Sequence, residues 1–264
     1  MSPTPEAPRS PAQVARIALA CLDLTSLNDA DTETDIVRLC ERANGPHGST
    51  AAVCVWPRLA RFAREHAPAA IAVAAVANFP DGSLDVQRAV RDTGAIVQAG
   101  AQEVDVVLPY RALMTGEDSR CAALLAAVRR ASEGLLLKVI LETGELAQPA
   151  LIERASKLAL EAGADFLKTS TGKTPVSATP QAAEVMLRAV RQHAPDAQRV
   201  GFKASGGIRS VADAAIYLDL VAIEWGPQAL VPSRFRIGAS ALLTDIERVL
   251  AGTPQVNAPL PKGY

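Results

Sequence analysis

Eight short apolar runs recur along this chain, at about residues 16–24, 50–56, 70–77, 102–108, 135–141, 164–169, 199–203 and 234–238. Between them lie segments whose apolar residues repeat at helical spacing, such as 31–43, 83–99, 148–161 and 180–193. Asp29 or Asp31, Ser83 and the pair Thr179-Pro180 supply helix-start signals. Eight strands alternating with helices over about 240 residues favour one closed (β/α)8 barrel, an α/β fold. The competing arrangement is an open doubly wound sheet. It would normally carry a glycine-rich first turn, where this chain has Asp23-Leu24-Thr25-Ser26. A length of 264 residues with 49% hydrophobic content suits one barrel, and no Pro/Gly-rich linker divides it. Residues 1–13 carry Pro3, Pro5, Pro8 and Pro11 and are expected to be a disordered tail. The barrel domain is expected over 14–251, with a mobile C-terminal tail over 252–264.

Several classes of function fall away. With 27 basic and 28 acidic residues the net charge is -1, which gives nucleic acid no basic surface to meet. No apolar run approaches the ~20 residues that cross a bilayer, so no membrane role is expected. The stretch Ala15–Cys21 looks superficially like a secretion signal, but Arg16 interrupts it and it is too short. Cys21, Cys40, Cys54 and Cys121 show no paired spacing and read as reduced thiols of a cytoplasmic protein. His47, His66 and His193 are scattered, so neither a metal nor another cofactor is expected.

The chemistry is concentrated in the lysines. Only six of the 27 cations are lysines, and three of these, Lys138, Lys168 and Lys203, fall within apolar strand-like runs. A buried ammonium can lose its proton, which a guanidinium effectively never does. In a barrel the reactive groups project from the C-terminal ends of strands, which makes Asp23, Asp105, Lys138, Glu142, Lys168 and Lys203 the candidates. The lysines could instead snorkel their head groups to solvent. Asp105, flanked by valines, needs Lys138 or Lys203 as a partner, and that pair alone could be purely structural. Two ammonium groups in one cavity repel, so the better desolvated amine becomes neutral and nucleophilic toward aldehydes, as Schiff-base catalysis requires. Glycine turns after runs seven and eight, at Gly206-Gly207 and Gly238-Ala239-Ser240, occupy the usual phosphate cradle of a barrel. Thr171-Gly172-Lys173 after run six can add a donor and a point charge.

These segments resemble the deoxyribose-phosphate aldolases. The likeness is collinear over roughly residues 16 to 250 and rests on Leu22-Asp-Leu-Thr-Ser, Ala52-Val-Cys-Val-Trp-Pro-Arg58, Asn78-Phe-Pro and Glu103-Val-Asp-Val-Val-Leu-Pro-Tyr-Arg-Ala-Leu. It continues through Leu137-Lys-Val-Ile-Leu-Glu-Thr-Gly-Glu-Leu, Gly163-Ala-Asp-Phe-Leu-Lys-Thr-Ser-Thr-Gly-Lys, Gly201-Phe-Lys-Ala-Ser-Gly-Gly-Ile-Arg and Arg236-Ile-Gly-Ala-Ser. The resemblance implies a metal-free cytoplasmic class I aldolase that cleaves 2-deoxy-D-ribose 5-phosphate to D-glyceraldehyde 3-phosphate and acetaldehyde. It assigns the Schiff base to Lys168, the lowering of its pKa to Lys203 and acid/base work to Asp105; Lys138, as a partner for Asp105, is expected in the same catalytic group. Asp23, Thr171, Gly172, Lys173, Gly206, Gly207, Gly238 and Ser240 are then expected to bind substrate, the glycines, Lys173 and Ser240 at its phosphate. Some relatives carry a C-terminal tyrosine that enters the site, which nominates Tyr264. Ala241 stands where some relatives have a second serine, and Ala204-Ser205 replaces Pro-Ala. Partners are expected to be small sugar phosphates and aldehydes and a second copy of the chain, in a dimer. A Schiff-base aldolase for another sugar phosphate and a catalytically silent sugar-phosphate-binding barrel are the alternatives.

Overall fold

The computed structural model describes residues 9–253. It opens with helix α1, Pro11–Ala20. Pro11 occupies the first helical turn, where an N–H has no partner to lose, and the side chains of Ser10 and Gln13 form a reciprocal capping box. This corrects two expectations: the tail does not extend to residue 13, and the run from residue 16 is not a strand until residue 22. Val14, Ala15, Ala18 and Leu19 are the buried positions, and that spacing is helical rather than alternating.

Eight strands form the barrel, apart from a two-stranded antiparallel pair at Asn44–Gly45 and Gly48–Ser49: β1 Leu22–Thr25, β2 Ala52–Val55, β3 Ala72–Ala77, β4 Glu103–Val107, β5 Leu136–Ile140, β6 Phe166–Lys168, β7 Gly201–Ser205 and β8 Phe235–Ala239. All pair in parallel in chain order, and β8 closes on β1. The barrel is therefore the expected one. Helices α2 Glu33–Ala43, α3 Pro57–His66, α4 Val86–Gln98, α5 Tyr110–Met114 and α6 Asp118–Ala131 lie along the first half. Helices α7 Thr143–Leu146, α8 Pro149–Glu161, α9 Pro180–His193, α10 Val211–Trp225 and α11 Leu242–Leu250 complete the set. The first cap differs from expectation: Thr32, not Asp29 or Asp31, caps α2. Asp31 is occupied in the preceding loop, accepting from Ser26 Oγ at 2.7 Å and Asn28 N at 3.0 Å. Asp85, not Ser83, caps α4, while Thr179 caps α9 as expected.

Strand register decides which side chains meet inside the barrel. Asp105 pairs with Lys138, Lys168 with Lys203, and Lys203 with Arg236. Because side chains alternate along a strand, Glu103 shares the face of Asp105. The barrel interior thus collects charge where many barrels place branched apolar side chains.

Candidate active site

Four cations and three carboxylates fill this interior. Asp105 is fully buried and accepts from three amines: Lys138 Nζ at 2.7 Å on one oxygen, Lys168 Nζ and Lys203 Nζ each at 2.8 Å on the other. Lys203 also donates to Asp23 at 2.5 Å, and Lys138 to Glu103 at 2.5 Å. Arg236 then joins Asp23 at 2.6 Å to Glu103 at 2.8 Å. Lys168, 2% exposed, has Asp105 as its single carboxylate partner, whereas Lys203 and Arg236 each bridge two carboxylates and Lys138 bridges Glu103 and Asp105 with Asp23 a third at 3.7 Å. It is the cation left over when the charges are matched.

The proton affinities follow from that imbalance. Burial lowers the pKa of Lys168; Asp105 pulls it back up, Lys203 pushes it down again, and it ends below the ordinary lysine value. Burial also disfavours charge on Lys203, but Asp105 and Asp23 outweigh it and hold that ammonium charged. Burial alone would raise Asp105, yet Lys138, Lys168 and Lys203 together hold it well below the usual carboxylate range. One amine that gives up its proton more readily than usual therefore sits beside an ammonium and a carboxylate that are both charged at rest.

Two glycines make room for this arrangement. A Cβ on Gly238 would lie 2.9 Å from Lys203 Cε and 2.7 Å from Ser205 Oγ. One on Gly201 would lie 2.3 Å from the Phe166 ring, over which the Arg236 guanidinium rests at 5.7 Å. The bulk of long side chains inside the barrel is thus accommodated by backbone that carries none.

At the C-terminal ends of β1, β6, β7 and β8 a cavity of about 290 Å³ opens. It is lined by Thr25, Ser26, Leu27, Asn28, Thr171, Gly172, Lys173, Ser205, Gly206, Gly207, Ile208, Arg209, Gly238, Ala239, Ser240 and Ala241. Among the described residues its wall holds two cations, Lys173 and Arg209, and no carboxylate. Consecutive Gly206 and Gly207 take φ of 86° and 82°, a conformation that would strain any residue with a Cβ. Helix α11 begins at the cavity, and its N-cap Ala241 offers no side chain to the first amides. Positive side chains and a helix N-terminus around small residues make an anion site.

Every expected phosphate residue, from Thr171, Gly172 and Lys173 through Gly206, Gly207, Gly238 and Ser240, borders this cavity. Thr171 differs in one respect: its hydroxyl donates to Glu142 at 2.5 Å and accepts from Lys173 N at 3.0 Å, so its donor is already spent. Lys173 Nζ bonds the Leu27 carbonyl at 2.7 Å. Asp23 lies deeper, on Lys203 at the level of the ion cluster. Expected among the substrate-binding residues, it is fully buried in the ion cluster between Lys203 and Arg236 and is absent from the cavity wall. Lys138, Lys168, Lys203 and Asp105 do converge. Glu103 and Arg236 were not foreseen, although Glu103 lies two residues before Asp105 and a strand puts such a pair on one face. Arg209, two residues beyond Gly207, joins the cavity wall as a cation that the sequence pattern did not single out. Tyr264 lies outside the described residues.

The model of the DeoC/LacD family aldolases matches residues 17–246. The chain belongs to the DeoC/LacD aldolase family. Over 248 residues it is 48% identical to a deoxyribose-phosphate aldolase of Agrobacterium fabrum (strain C58 / ATCC 33970), covering 92% of this chain and 93% of that one. The apo crystal structure of a Toxoplasma gondii ME49 protein, provisionally assigned as a deoxyribose-phosphate aldolase, superposes with a TM-score of 0.84 at 28% identity over 93% of this chain and 99% of that one. A Coccidioides immitis protein with the same provisional assignment gives 0.77 at 30% identity, over 94% and 88% of the two chains. As a member of the DeoC/LacD family, the chain is an aldolase.

Proposed function

We propose that this enzyme reversibly cleaves 2-deoxy-D-ribose 5-phosphate to D-glyceraldehyde 3-phosphate and acetaldehyde through a Schiff base on Lys168. The observation that carries the reading is the placement of one under-compensated amine, Lys168, beneath a cavity with two cations and no carboxylate in its wall. The same strands supply both levels. Lys168 ends β6 and Thr171 to Lys173 follow it; Lys203 lies in β7 and Gly206-Gly207 follow that strand. A phosphate held by the turns leaves the sugar chain to run inward toward the amine, so its binding energy positions the reacting carbons.

The neutral amine of Lys168 attacks the aldehyde carbon of the open-chain sugar, and Asp105, directly or through water, shuttles the protons that convert the carbinolamine to an iminium. The iminium is the electron sink. Removal of the proton from the carbon-3 hydroxyl, again by Asp105 through water, lets the neighbouring carbon-carbon bond break and releases glyceraldehyde 3-phosphate. An enamine of acetaldehyde remains on Lys168. Protonation, with Tyr264 as donor, and hydrolysis by water free acetaldehyde and regenerate the amine. Lys203 and Lys138 stay charged throughout; Lys203 opposes protonation of Lys168, and Lys138 holds the second oxygen of Asp105.

Borohydride added with the sugar phosphate is expected to reduce the imine and leave a covalent adduct on the peptide containing Lys168, read by mass spectrometry. An adduct on Lys138 or Lys203 instead would overturn the assignment. Dimer formation belongs to the same proposal, and sedimentation of the purified chain should give twice the single-chain mass. A single-chain mass at micromolar concentration would remove it.

A further inference from the structure

We infer that Glu142 is a positioning residue that holds the turn 171–173 in its anion-binding shape from behind the cavity wall. The inference rests on the reading of that cavity as the phosphate site. Glu142 is fully buried and does not itself line the cavity. Its two oxygens each accept from Thr171 N at 3.3 Å; one also accepts from Thr171 Oγ at 2.5 Å and the other from Thr174 Oγ at 3.2 Å. Thr171 Oγ in turn accepts from Lys173 N at 3.0 Å. One carboxylate therefore fixes the backbone on both sides of Gly172, the residue at which the turn reverses with φ of 78°. With its backbone fixed at 173, the Lys173 amine is presented beside Leu27 at the cavity edge.

Three features point to a purpose beyond filling space. First, Glu142 adopts a left-handed backbone, φ 57° and ψ 60°, which a residue with a side chain rarely takes without a compensating gain. The amides on either side still bond to the neighbouring strand, Leu141 N to Lys168 O at 2.9 Å and Thr143 N to Thr169 O at 3.0 Å. The reversal thus aims one side chain without detaching β5 from the β6 end that carries Lys168. Second, Asp23, Glu103 and Asp105 each bond a cation, whereas Glu142 is held by amide and hydroxyl donors. A buried carboxylate without a bonded cation is costly, and burial pushes its carboxyl up while the bonds from Thr171 and Thr174 bring it part of the way back. Third, a Cβ on Gly144 would fall 2.0 Å from the Val176 carbonyl oxygen, so the same turn of α7 also presses on the far side of the segment. The loop after β5 is shaped to grip the loop after β6.

The consequence is a division of labour for the family's reaction. Lys173, Arg209 and the glycine amides would meet the phosphate, and Glu142 would set the placement of Gly172 and Lys173 among them while touching neither phosphate nor aldehyde. In Glu142→Gln one acceptor becomes an amide that opposes the donors of Thr171 or Thr174, and the turn loosens. The test titrates inorganic phosphate into the full-length chain by calorimetry and measures KM and kcat on 2-deoxyribose 5-phosphate, for the wild type, Glu142→Gln, Thr174→Val and Lys173→Met. Glu142→Gln should weaken phosphate about tenfold and raise KM equally, while kcat falls less than about threefold. Thr174→Val, which removes one donor outside the cavity, should move both in the same direction by about threefold and decides the matter if Glu142→Gln does not fold. If Lys173→Met weakens phosphate and the Glu142 and Thr174 variants do not, the inference falls and the phosphate site stands. If none of the three weakens phosphate, both fall. A loss confined to kcat also overturns it, because Glu142 would then act on the amine rather than on the turn.

Discussion

Lys168→Met is expected to abolish cleavage, by roughly 10^4-fold or more, while leaving the protein as stable as the wild type or more so. The two outcomes have one cause. In the wild type four cations share three carboxylates, and Lys168, with only Asp105 as partner, is the surplus charge. Burying a surplus ammonium opposes folding. Methionine has similar length and no charge, so the variant leaves Lys138, Lys203 and Arg236 matched to Asp23, Glu103 and Asp105. A gain of about 1 kcal/mol would raise the melting midpoint by roughly 2–4 °C. The sign with pH can be worked out. The pKa of Lys168 is lowered in the folded state, so between that value and the ordinary 10.5 the unfolded chain binds more protons. Wild-type stability should therefore gain a rising contribution as pH increases through this window, and Lys168→Met should lack it. Thermal melts across alkaline pH check both points. A midpoint several degrees lower in Lys168→Met would make this lysine a structural counter-ion to Asp105 and would remove the argument for its neutrality.

The sequence displays the barrel because periodicity survives without coordinates. Strand-like runs at 102–108 and 135–141 become β4 and β5 with only a residue lost at each end, since both faces of such strands are buried and their composition shows it. Helix α1 is hidden for the opposite reason. Four prolines suggest a tail, and only the pairing of Ser10 with Gln13 reveals that Pro11 starts a helix instead of preventing one. At the site, the rarity of lysine directs attention to Lys138, Lys168 and Lys203, and the fold buries all three around Asp105. Depth is what the linear pattern omits. Asp23 stands at a strand end like the others, and nothing in Leu-Asp-Leu-Thr says that its carboxylate faces Lys203 and Arg236 below the cavity. Glu142 is similarly illegible: its role depends on a left-handed backbone and on hydroxyls 29 and 32 positions later.

Lys203→Met should behave unlike Lys168→Met in every measurement. Removing Lys203 strips Asp23 and Asp105 of a shared cation, and leaving buried carboxylates short of a partner costs about 3–5 kcal/mol. The fold should survive, because stabilities of roughly 5–15 kcal/mol are usual, but its melting midpoint should drop sharply. Turnover near neutral pH should fall by roughly 10^2-fold or more, since about tenfold in free amine is lost for each unit by which the Lys168 pKa rises. That rise has a definite direction. Lys203 is held charged by Asp105 and Asp23, and its charge disfavours a second proton on Lys168; without it, Asp105 stabilises the protonated form with only burial opposing it. The acid limb of kcat/KM should therefore move to higher pH, and part of the lost activity should return as the assay is made more alkaline. A purely structural role would lower stability and rate together without moving that limb. If the limb of the variant coincides with that of the wild type, some other group tunes the amine, and the pairing of a neutral lysine with a permanent one is not how this barrel prepares its nucleophile.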